Sequence, residues 1–135
     1  MSPDIALQKA LLARLASTSD VVALVPAAAM IDVWKVPERL PCVIFGEGQV
    51  VREPHTFAAR HRRIYSDLHI FSSTMPQARA IAGAITAAVE GGPVPLEGGH
   101  RAVSTVIASA RFLRDPDGET AHGVVTISCL MEPAP

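Results

Sequence analysis

The sequence predicts an α+β fold, in which a mainly antiparallel sheet of about four long strands has two main helices packed on one face. Two segments repeat apolar residues at helical spacing, and other segments alternate or run apolar in the manner of strands. The strand-like segments form two long hairpins separated by a helix. Because no repeat or linker divides the chain, we expect a single domain over residues 1–135.

The two predicted helices lie at the start and in the middle of the chain. Ser2 and Pro3 are a favourable cap and first turn for the first helix. The second helix begins after Ser73 or Thr74 and ends at the glycine pair at 91 and 92. The apolar stripes that predict the two helices are Ile5, Leu7, Leu11, Leu12 and Leu15 in the first, and Met75, Ala78, Ile81, Ala82, Ile85 and Val89 in the second.

The remaining segments read as short elements followed by the first hairpin. Residues 21–24 predict a helical turn, and residues 31–36 predict a short strand. The continuous apolar run at 42–45 is typical of a strand covered on both faces, and this strand continues to Arg52. The strand at 62–72 returns after an aperiodic excursion.

The second hairpin has the clearest turn signal in the chain. Pro116 presets the turn dihedral after Asp115, Asp117 tolerates the bridge conformation, and Gly118 can take a positive φ. This turn joins strands predicted at 101–113 and 123–131. One face of the second strand is expected to be buried because apolar residues alternate with polar ones, at Val125, Ile127, Cys129 and Met131.

Composition limits the classes of function. The formal net charge of −1 gives no general attraction to nucleic acid. The longest apolar stretch, residues 21–31, contains Pro26 and is shorter than the roughly 20 residues that span a bilayer. We therefore expect a soluble protein that is made in the cytoplasm and does not contact a membrane. With 49% hydrophobic and only 19% charged residues, the chain is expected to bury apolar surface against copies of itself.

Two cysteines, Cys42 and Cys129, each lie inside an apolar strand pattern. In a chain without a recognisable signal peptide, this pattern favours reduced core thiols, with a disulfide as the alternative. The histidines have no spacing typical of metal ligands. The glycines at 46 and 48 begin like a dinucleotide fingerprint, but a valine stands where the third glycine belongs. No cofactor and no metal is expected.

The strand at 62–72 contains the one pair of side chains that suggests chemistry. Asp67 and His69 share a face with Tyr65, because residues two apart in a strand point the same way. Ser66 and Ser72 point to the opposite face, and no nucleophile elbow is present. We assign no catalytic residue, and a pocket around Asp67 and His69 remains the alternative site.

The excursion between the first two long strands is basic. Residues 52–63 contain four arginines against one glutamate, a net charge of +3. Such a segment can line a channel for DNA, bind an acidic protein, or be a solvated loop. The residues predicted to contact a partner or a lumen are Arg52, His55, Arg60, His61, Arg62 and Arg63.

One face of the second helix consists of small residues: Ala80, Gly83, Ala84 and Ala87. Small side chains at this spacing allow another backbone to approach, which predicts a subunit contact. The alternative is that alanine simply favours helices.

Four segments taken in order resemble one known family. They are residues 6–15 (ALQKALLARL), 40–46 (LPCVIFG), 63–72 (RIYSDLHIFS) and 117–124 (DGETAHGV). This order of helix, strands and hairpin is similar to the tail-completion, or tail-terminator, proteins of long-tailed phages and of phage-like gene transfer agents. The resemblance covers nearly the full chain and consists of strand and turn patterns.

The resemblance implies a structural virion protein without enzymatic activity. Its expected partners are copies of itself in a homohexameric ring, the tail tube protein, and a head connector or stopper protein. The ring would cap the head-proximal end of the tube, stop its polymerisation and let DNA pass through the lumen without sequence-specific binding. The alternatives are a small ligand-binding domain or enzyme using the pocket near Asp67 and His69, and a DNA-binding module using residues 52–63.

Overall fold

The computed structural model describes residues 1–32, 37, 39–53 and 60–135 of the chain. Within these residues an α+β fold is present, as the sequence predicts. The helices are α1 (Pro3–Ser17), α2 (Ser19–Val22) and α3 (Met75–Glu90), with a 3₁₀ turn at Ala27–Ala29. The strands are β1 (Met30–Ile31), β2 (Cys42–Arg52), β3 (Arg62–Ser72), β4 (Arg101–Arg114) and β5 (Ala121–Glu132).

The strands form one sheet in the order β1-β2-β3-β5-β4. The short β1 is parallel to β2, and the remaining neighbours are antiparallel. The sheet therefore has five strands in the described residues rather than about four, because β1 adds to its edge. Since β5 lies between β3 and β4, α3 crosses over β5 on its way from β3 to β4, and β4 becomes an outer strand.

The core lies between the sheet and the helices. Along β5, the residues that alternate from Ala121 to Met131 face the helices and are buried, which confirms the predicted period of two. The run at 42–45 is at most 3% exposed at every position, so both faces of β2 are covered there. The large side chains that fill the core are Leu7, Leu11, Leu15, Leu68, Ile70, Ile81, Ile85 and Ile127.

Helix α1 differs in two details from the prediction. Ile5 is 57% exposed, so its assignment to the apolar stripe is wrong. The buried residues Leu7, Leu11 and Leu15 define the inner face, and Ile5 falls outside it. The predicted start of the helix is right, but the Ser2 side chain makes no capping hydrogen bond. Ser2 contributes through its backbone carbonyl, which accepts from the amide of Ala6.

Helix α3 is satisfied at both ends by side chains. At its start the Thr74 hydroxyl accepts from the amide of Gln77 at 3.3 Å, which resolves the choice between Ser73 and Thr74. At its end the Arg14 guanidinium donates to the carbonyls of Ala88, Gly92 and Pro93. The Ala88 carbonyl belongs to the last turn of α3, at the negative end of the helix dipole, so a cation there both caps α3 and fixes α1 against it.

Further predictions concern elements around the core. Cys42 and Cys129 are free and buried, as expected of core thiols, and burial raises the pKa of both. The helical turn predicted at 21–24 begins slightly earlier, as α2.

Of the strand predicted at 31–36, Ile31 belongs to β1, and residues 33–36 lie outside the described residues. No helix in the described part of the chain is long and apolar enough to cross a membrane.

The turn between β4 and β5 is organised by a glycine and a carboxylate. Gly118 has a φ of +73°, and its amide donates to the Asp115 carbonyl at 2.9 Å. The Asp117 carboxylate accepts from the amides of Glu119 and Thr120 and from the Thr120 hydroxyl. The bond from this hydroxyl is the main reason that the pKa of Asp117 is lowered. Asp117 therefore does more than tolerate the turn conformation predicted from sequence.

Gly118→Val is expected to destabilise the chain by about 1–3 kcal/mol, because a β-branched residue resists positive φ. No atom lies within 4 Å of an added Cβ, so the loss would come from the backbone alone. Gly118→Asn should lose much less, since asparagine tolerates this region. Urea unfolding followed by circular dichroism measures both.

Gly83→Ala supplies the matched control for this prediction. Gly83 is exposed on α3 with no atom within 4 Å of an added Cβ, so alanine should stabilise the isolated chain by about 0.5–1 kcal/mol. Equal stabilities for Gly118→Val and the parent chain would contradict the positive-φ argument.

Candidate functional site

The sheet face turned away from the helices carries most of the polar side chains of the described strands. On β3 this face includes Tyr65, Asp67 and His69, and on β5 it includes His122 and Thr126, as the registers place them opposite one another. The sequence predicted that Asp67 and His69 share a face, and the alternating burial of β3 agrees. This face is where a ligand, a partner or a lumen would meet the sheet.

Four of these polar groups form a chain of contacts across the sheet. Glu47 Oε2 lies 3.1 Å from His69 Nε2, and His69 Nδ1 lies 2.8 Å from His122 Nε2. His122 Nδ1 in turn lies 3.0 Å from Asp115 Oδ1. The series joins β2, β3, β5 and the turn before β5, so it ties together parts of the sheet that are far apart in sequence.

The number of protons in this chain follows from its geometry. Each of the three contacts needs one hydrogen, and a carboxylate can only accept. Two neutral imidazoles supply two hydrogens, so one of the three contacts has no hydrogen when both rings are neutral. The hydrogen bond from His69 is the main reason that the pKa of Glu47 is lowered.

A bulge in β2 makes room for His69. The register of β2 against β3 shifts between Phe45 and Gly48. A Cβ on Gly46 would lie 2.5 Å from His69 Cδ2 and 2.6 Å from Nε2, so only glycine allows the imidazole to reach Glu47. Gly46, the first glycine of the failed dinucleotide motif, therefore has a local structural role.

His122 is largely buried and packs against an aromatic ring. Its side chain is 14% exposed and stacks on Phe71 with ring centroids 4.4 Å apart. Burial lowers the pKa of His122, the Asp115 carboxylate opposes that effect, and the charge of His69 adds to it. The net result is a pKa below the usual value of 6.5, so acid opposes the folded arrangement.

The alternative pocket around Asp67 and His69 does not assemble a reactive centre. Asp67 accepts from the Thr126 hydroxyl at 2.6 Å, and a shallow open depression beside it is lined by Glu47, Gln49 and Tyr65. Both ring nitrogens of His69 are engaged, which leaves no lone pair to activate a nucleophile. Among the described residues, no group of histidine, cysteine or acidic side chains is arranged to hold a metal ion.

The basic segment predicted from residues 52–63 is described only at its two ends. His55 and the rest of residues 54–59 lie outside the described residues. The two described ends of the segment are joined by a backbone hydrogen bond, in which the Glu53 amide donates to the His61 carbonyl at 3.1 Å. Arg52 and Arg60 are exposed, and Arg62 donates to the carbonyls of Arg60 and His61.

Acidic residues reduce the positive charge at the base of this segment. The Arg63 Nε lies 3.1 Å from Glu53, and its terminal nitrogen donates to Ser128 at 2.9 Å. Glu132 lies within 4 Å of Arg60, His61 and Arg101, and the bond from Arg101 is the main cause of its lowered pKa. The sequence count of the segment missed Glu132, because that residue belongs to β5 and approaches only in the folded chain.

The small-residue face of α3 points away from the core. Ala80, Gly83 and Ala87 are exposed, and Ala84 is half-buried. The turn residues Asp115, Pro116, Asp117 and Gly118 lie at the end of the β4–β5 hairpin. Whether these small residues contact another subunit stays a prediction.

Sequence reasoning missed the roles of Glu47, Asp115 and His122 on the helix-free face. His122 was one of five histidines without ligand spacing. The register that pairs Phe71 with His122 brings it beside His69, and that register depends on β5 lying next to β3. The one signal in the sequence is that His69 and His122 each stand at a polar position of a strand in which polar and apolar residues alternate.

We expect His122→Gln to reduce the loss of stability in weak acid. A group with a lowered pKa in the folded chain contributes stability that is complete above its unfolded value and is lost as pH falls through the folded value. The parent chain should therefore lose urea resistance as pH falls below about 6.5, and the variant should lose less over the same interval. Urea midpoints at pH 8, 7, 6 and 5 measure the effect.

Val124→Ala provides the control, because Val124 is buried on the same face and does not titrate. It should lower the free energy of unfolding by a similar amount at every pH. An equal pH dependence in the parent chain and His122→Gln would contradict the assignment.

Comparison with known proteins gives the same family as the sequence patterns. The sequence matches the family of tail completion protein gp17 over residues 9–132. A comparison with curated proteins finds no significant match.

Two solved structures have similar folds. A chain from the virion of a native gene transfer agent particle is 21% identical, with a TM-score of 0.80 and 96% of each chain covered. The gp17 protein of bacteriophage SPP1 is 25% identical, with a TM-score of 0.60 and coverage of 93% of this chain and 88% of that chain. The first similarity concerns the fold alone, whereas the family match spans nearly all the elements described above. This chain belongs to the tail completion protein gp17 family.

Proposed function

We propose that this protein is the tail terminator of a phage or gene transfer agent particle. In this role it forms a hexameric ring on the head-proximal end of the tail tube, stops tube polymerisation and joins the tail to the head connector or stopper protein. The observation that carries the proposal is the family match over residues 9–132. The fold shared with a gene transfer agent virion chain over 96% of both chains supports it.

The architecture suits a subunit of a closed ring. A ring made by head-to-tail contacts needs two different complementary surfaces on each subunit. The sheet ends in two different edges, with the long β4 at one and the short β1 at the other. The helices cover one sheet face, which leaves the polar face available to a lumen or a neighbouring ring.

The basic ends of the excursion are proposed to contact a partner or the DNA that passes through the lumen. Arg52 and Arg60 are the exposed arginines there, and His55 belongs to the same proposal from sequence alone. Arg63 is held by Glu53 and Ser128 and is better explained as structural. Because Glu132 offsets part of the charge, weak contact without sequence specificity fits better than a DNA-binding module.

A structural role also fits the chemistry of the polar face. The His69–His122 pair is saturated by hydrogen bonds rather than poised against an empty site. We infer that the protein is made in the bacterial cytoplasm, is not an enzyme, and acts through contacts with other virion proteins.

Deleting the gene from its native host is expected to give overlong or headless tails, together with full heads left unjoined. A tube without its terminator keeps free subunit-binding ends, and heads lack the surface to which they attach. Negative-stain electron microscopy of the particles, scored for tail length and head attachment, measures both outcomes.

The parent gene supplied in trans is the control and should restore joined particles with tails of normal length. Normal joined particles in the deletion strain would reject the terminator role.

A further inference from the structure

We propose that the second half of β4 in one copy docks in antiparallel orientation against the β1 edge of the next copy, with arginines of β4 facing carboxylates at the β1 edge. This inference rests on the proposed ring and names the surfaces that would close it. The occupant of each surface is a second copy of this chain.

The first surface is the outer edge of β4. This strand pairs only with β5 in the described residues, and none of its residues is fully buried. The first half of this edge is poorly suited to pairing with another strand. Bulges interrupt its register between Ala102 and Ser104 and between Ile107 and Ser109, and the Glu90 carboxylate accepts from the Ile107 amide at 2.8 Å. Residues 109–114 follow the second bulge and keep a regular register with β5.

This regular half is both basic and apolar. Arg111 and Arg114 are exposed, and neither takes part in an ion pair with any described residue. Leu113 between them is 42% exposed. The whole of β4 contains three arginines and no acidic residue. Such an edge repels another copy of itself but attracts an acidic surface.

The second surface is the opposite end of the sheet. Asp32 directly follows β1 and is exposed, and Glu47 at the β2 bulge has 69% of its side chain exposed. Asp4 at the start of α1 is also exposed. Asp32 lines a groove with Ile5, which is 57% exposed. An acidic and apolar surface therefore faces outward at the end opposite β4.

Nearby cations do not cancel this charge. Lys9 in the same groove is paired with Glu97 at 2.9 Å. Arg39 lies on the segment leading into β2 and is the other described basic residue near this edge in sequence. Glu47 already contacts His69 at 3.1 Å, whereas Asp4 and Asp32 form no ion pair with any described residue.

The sheet register aligns the two surfaces. One row of paired residues runs across the sheet through Ile31, Ile44, His69, Val124 and Arg111. Arg111 at one edge is therefore level with Ile31, the neighbour of Asp32, at the other. The strand directions also favour this contact. β4 runs antiparallel to β1, and antiparallel pairing is slightly more stable per residue than parallel pairing.

The faces of the sheet also agree. Arg111 pairs with Val124 on the helix-free face, the face on which Glu47 contacts His69. Arg114 pairs with Ala121 on the helix-covered face, the side on which Asp32 lines a groove with α1. A sheet that continues from one copy to the next with its helices on the same side thus puts each arginine on the side of a carboxylate.

Cysteine cross-linking in assembled particles tests this contact. The host carries Ile31→Cys and Arg111→Cys together as its sole copy of the gene, because these two positions are level and on the same face of the sheet. Cys42 and Cys129 are buried and do not compete. Mild oxidation should give a ladder of covalent multimers on a non-reducing gel, whereas each single variant should give monomer. Dimers from Arg111→Cys alone would show a symmetric β4–β4 contact, and no multimers from the pair would exclude the β1 contact. Either result overturns the proposal.

Charge reversal gives an independent measurement with a rescue. Arg111→Glu with Arg114→Glu should lower the yield of joined particles by more than about tenfold, because like charges then meet. Adding Asp4→Lys and Asp32→Lys to the same chain should restore it. Arg111→Lys with Arg114→Lys, which keeps the charge, should retain most of the yield.

These experiments distinguish failure of the proposed β4–β1 contact from failure of the proposed terminator role. If the charge-reversed chain still completes tails in a strain whose deletion mutant does not, the surface assignment is wrong and the terminator role stands. If the deletion strain itself makes normal particles, the terminator role is wrong. Circular dichroism and urea unfolding of each purified variant distinguish a lost contact from a lost fold.

Discussion

The insertion of β5 between β3 and β4 is the constraint on which the rest of the structure depends. β5 is antiparallel to both neighbours along nearly its whole length, so its backbone groups are satisfied on both sides. Its alternating side chains Val125, Ile127 and Cys129 are buried in the core between the sheet and the helices. Because β5 occupies the centre, the connection from β3 to β4 has to pass over it, and α3 is that connection. The same insertion makes β4 an edge strand, the edge at which we propose that a second copy docks.

The two faces of the sheet are stabilised by different interactions. The helix-covered face is apolar, and Arg14 joins α1 to the end of α3 above it. The other face is held by hydrogen bonds between side chains of different strands, from Glu47 through both histidines to Asp115. A network of this kind stabilises only when all of its members are satisfied, so it favours one register of β2, β3 and β5 over any shifted one. The contacts of the two histidines therefore stabilise this arrangement of strands.

A small chain with few aromatic residues has limited means of stabilising itself alone. Alanine and valine pack closely but bury little area per residue, so burial between copies in the proposed ring would add to the stability of each chain. The described surface has its exposed large apolar side chains at both ends of the sheet, with Ile5 near one and Leu113 near the other. Opposite charge at the two ends makes association directional. Directional, head-to-tail association is what closed rings need.

The sequence by itself determined the elements that depend on local chemistry. The α+β class, α1, α3, the covered strand at 42–45 and the turn through Gly118 all follow from periodicity, caps and turn residues, which act over a few positions. Ile5 was misassigned because helical spacing gives a stripe but not the angle at which the core lies. The resemblance to tail-completion proteins was also visible in the order of those elements, and the family match confirms it.

Only the tertiary structure decided which elements became neighbours. Strand order is a long-range property, and nothing local distinguishes β5 beside β3 from β5 beside β2. The pairing of His69 with His122, the approach of Glu132 to the arginines of the excursion, and the clearance at Gly46 for an imidazole all follow from that order. Each joins residues far apart in the chain, so no window of sequence contains both partners. For the same reason the sequence supplied Arg111 and Asp32 only as charges, and the register across the sheet places Arg111 level with Ile31, the residue before Asp32, on the opposite edge.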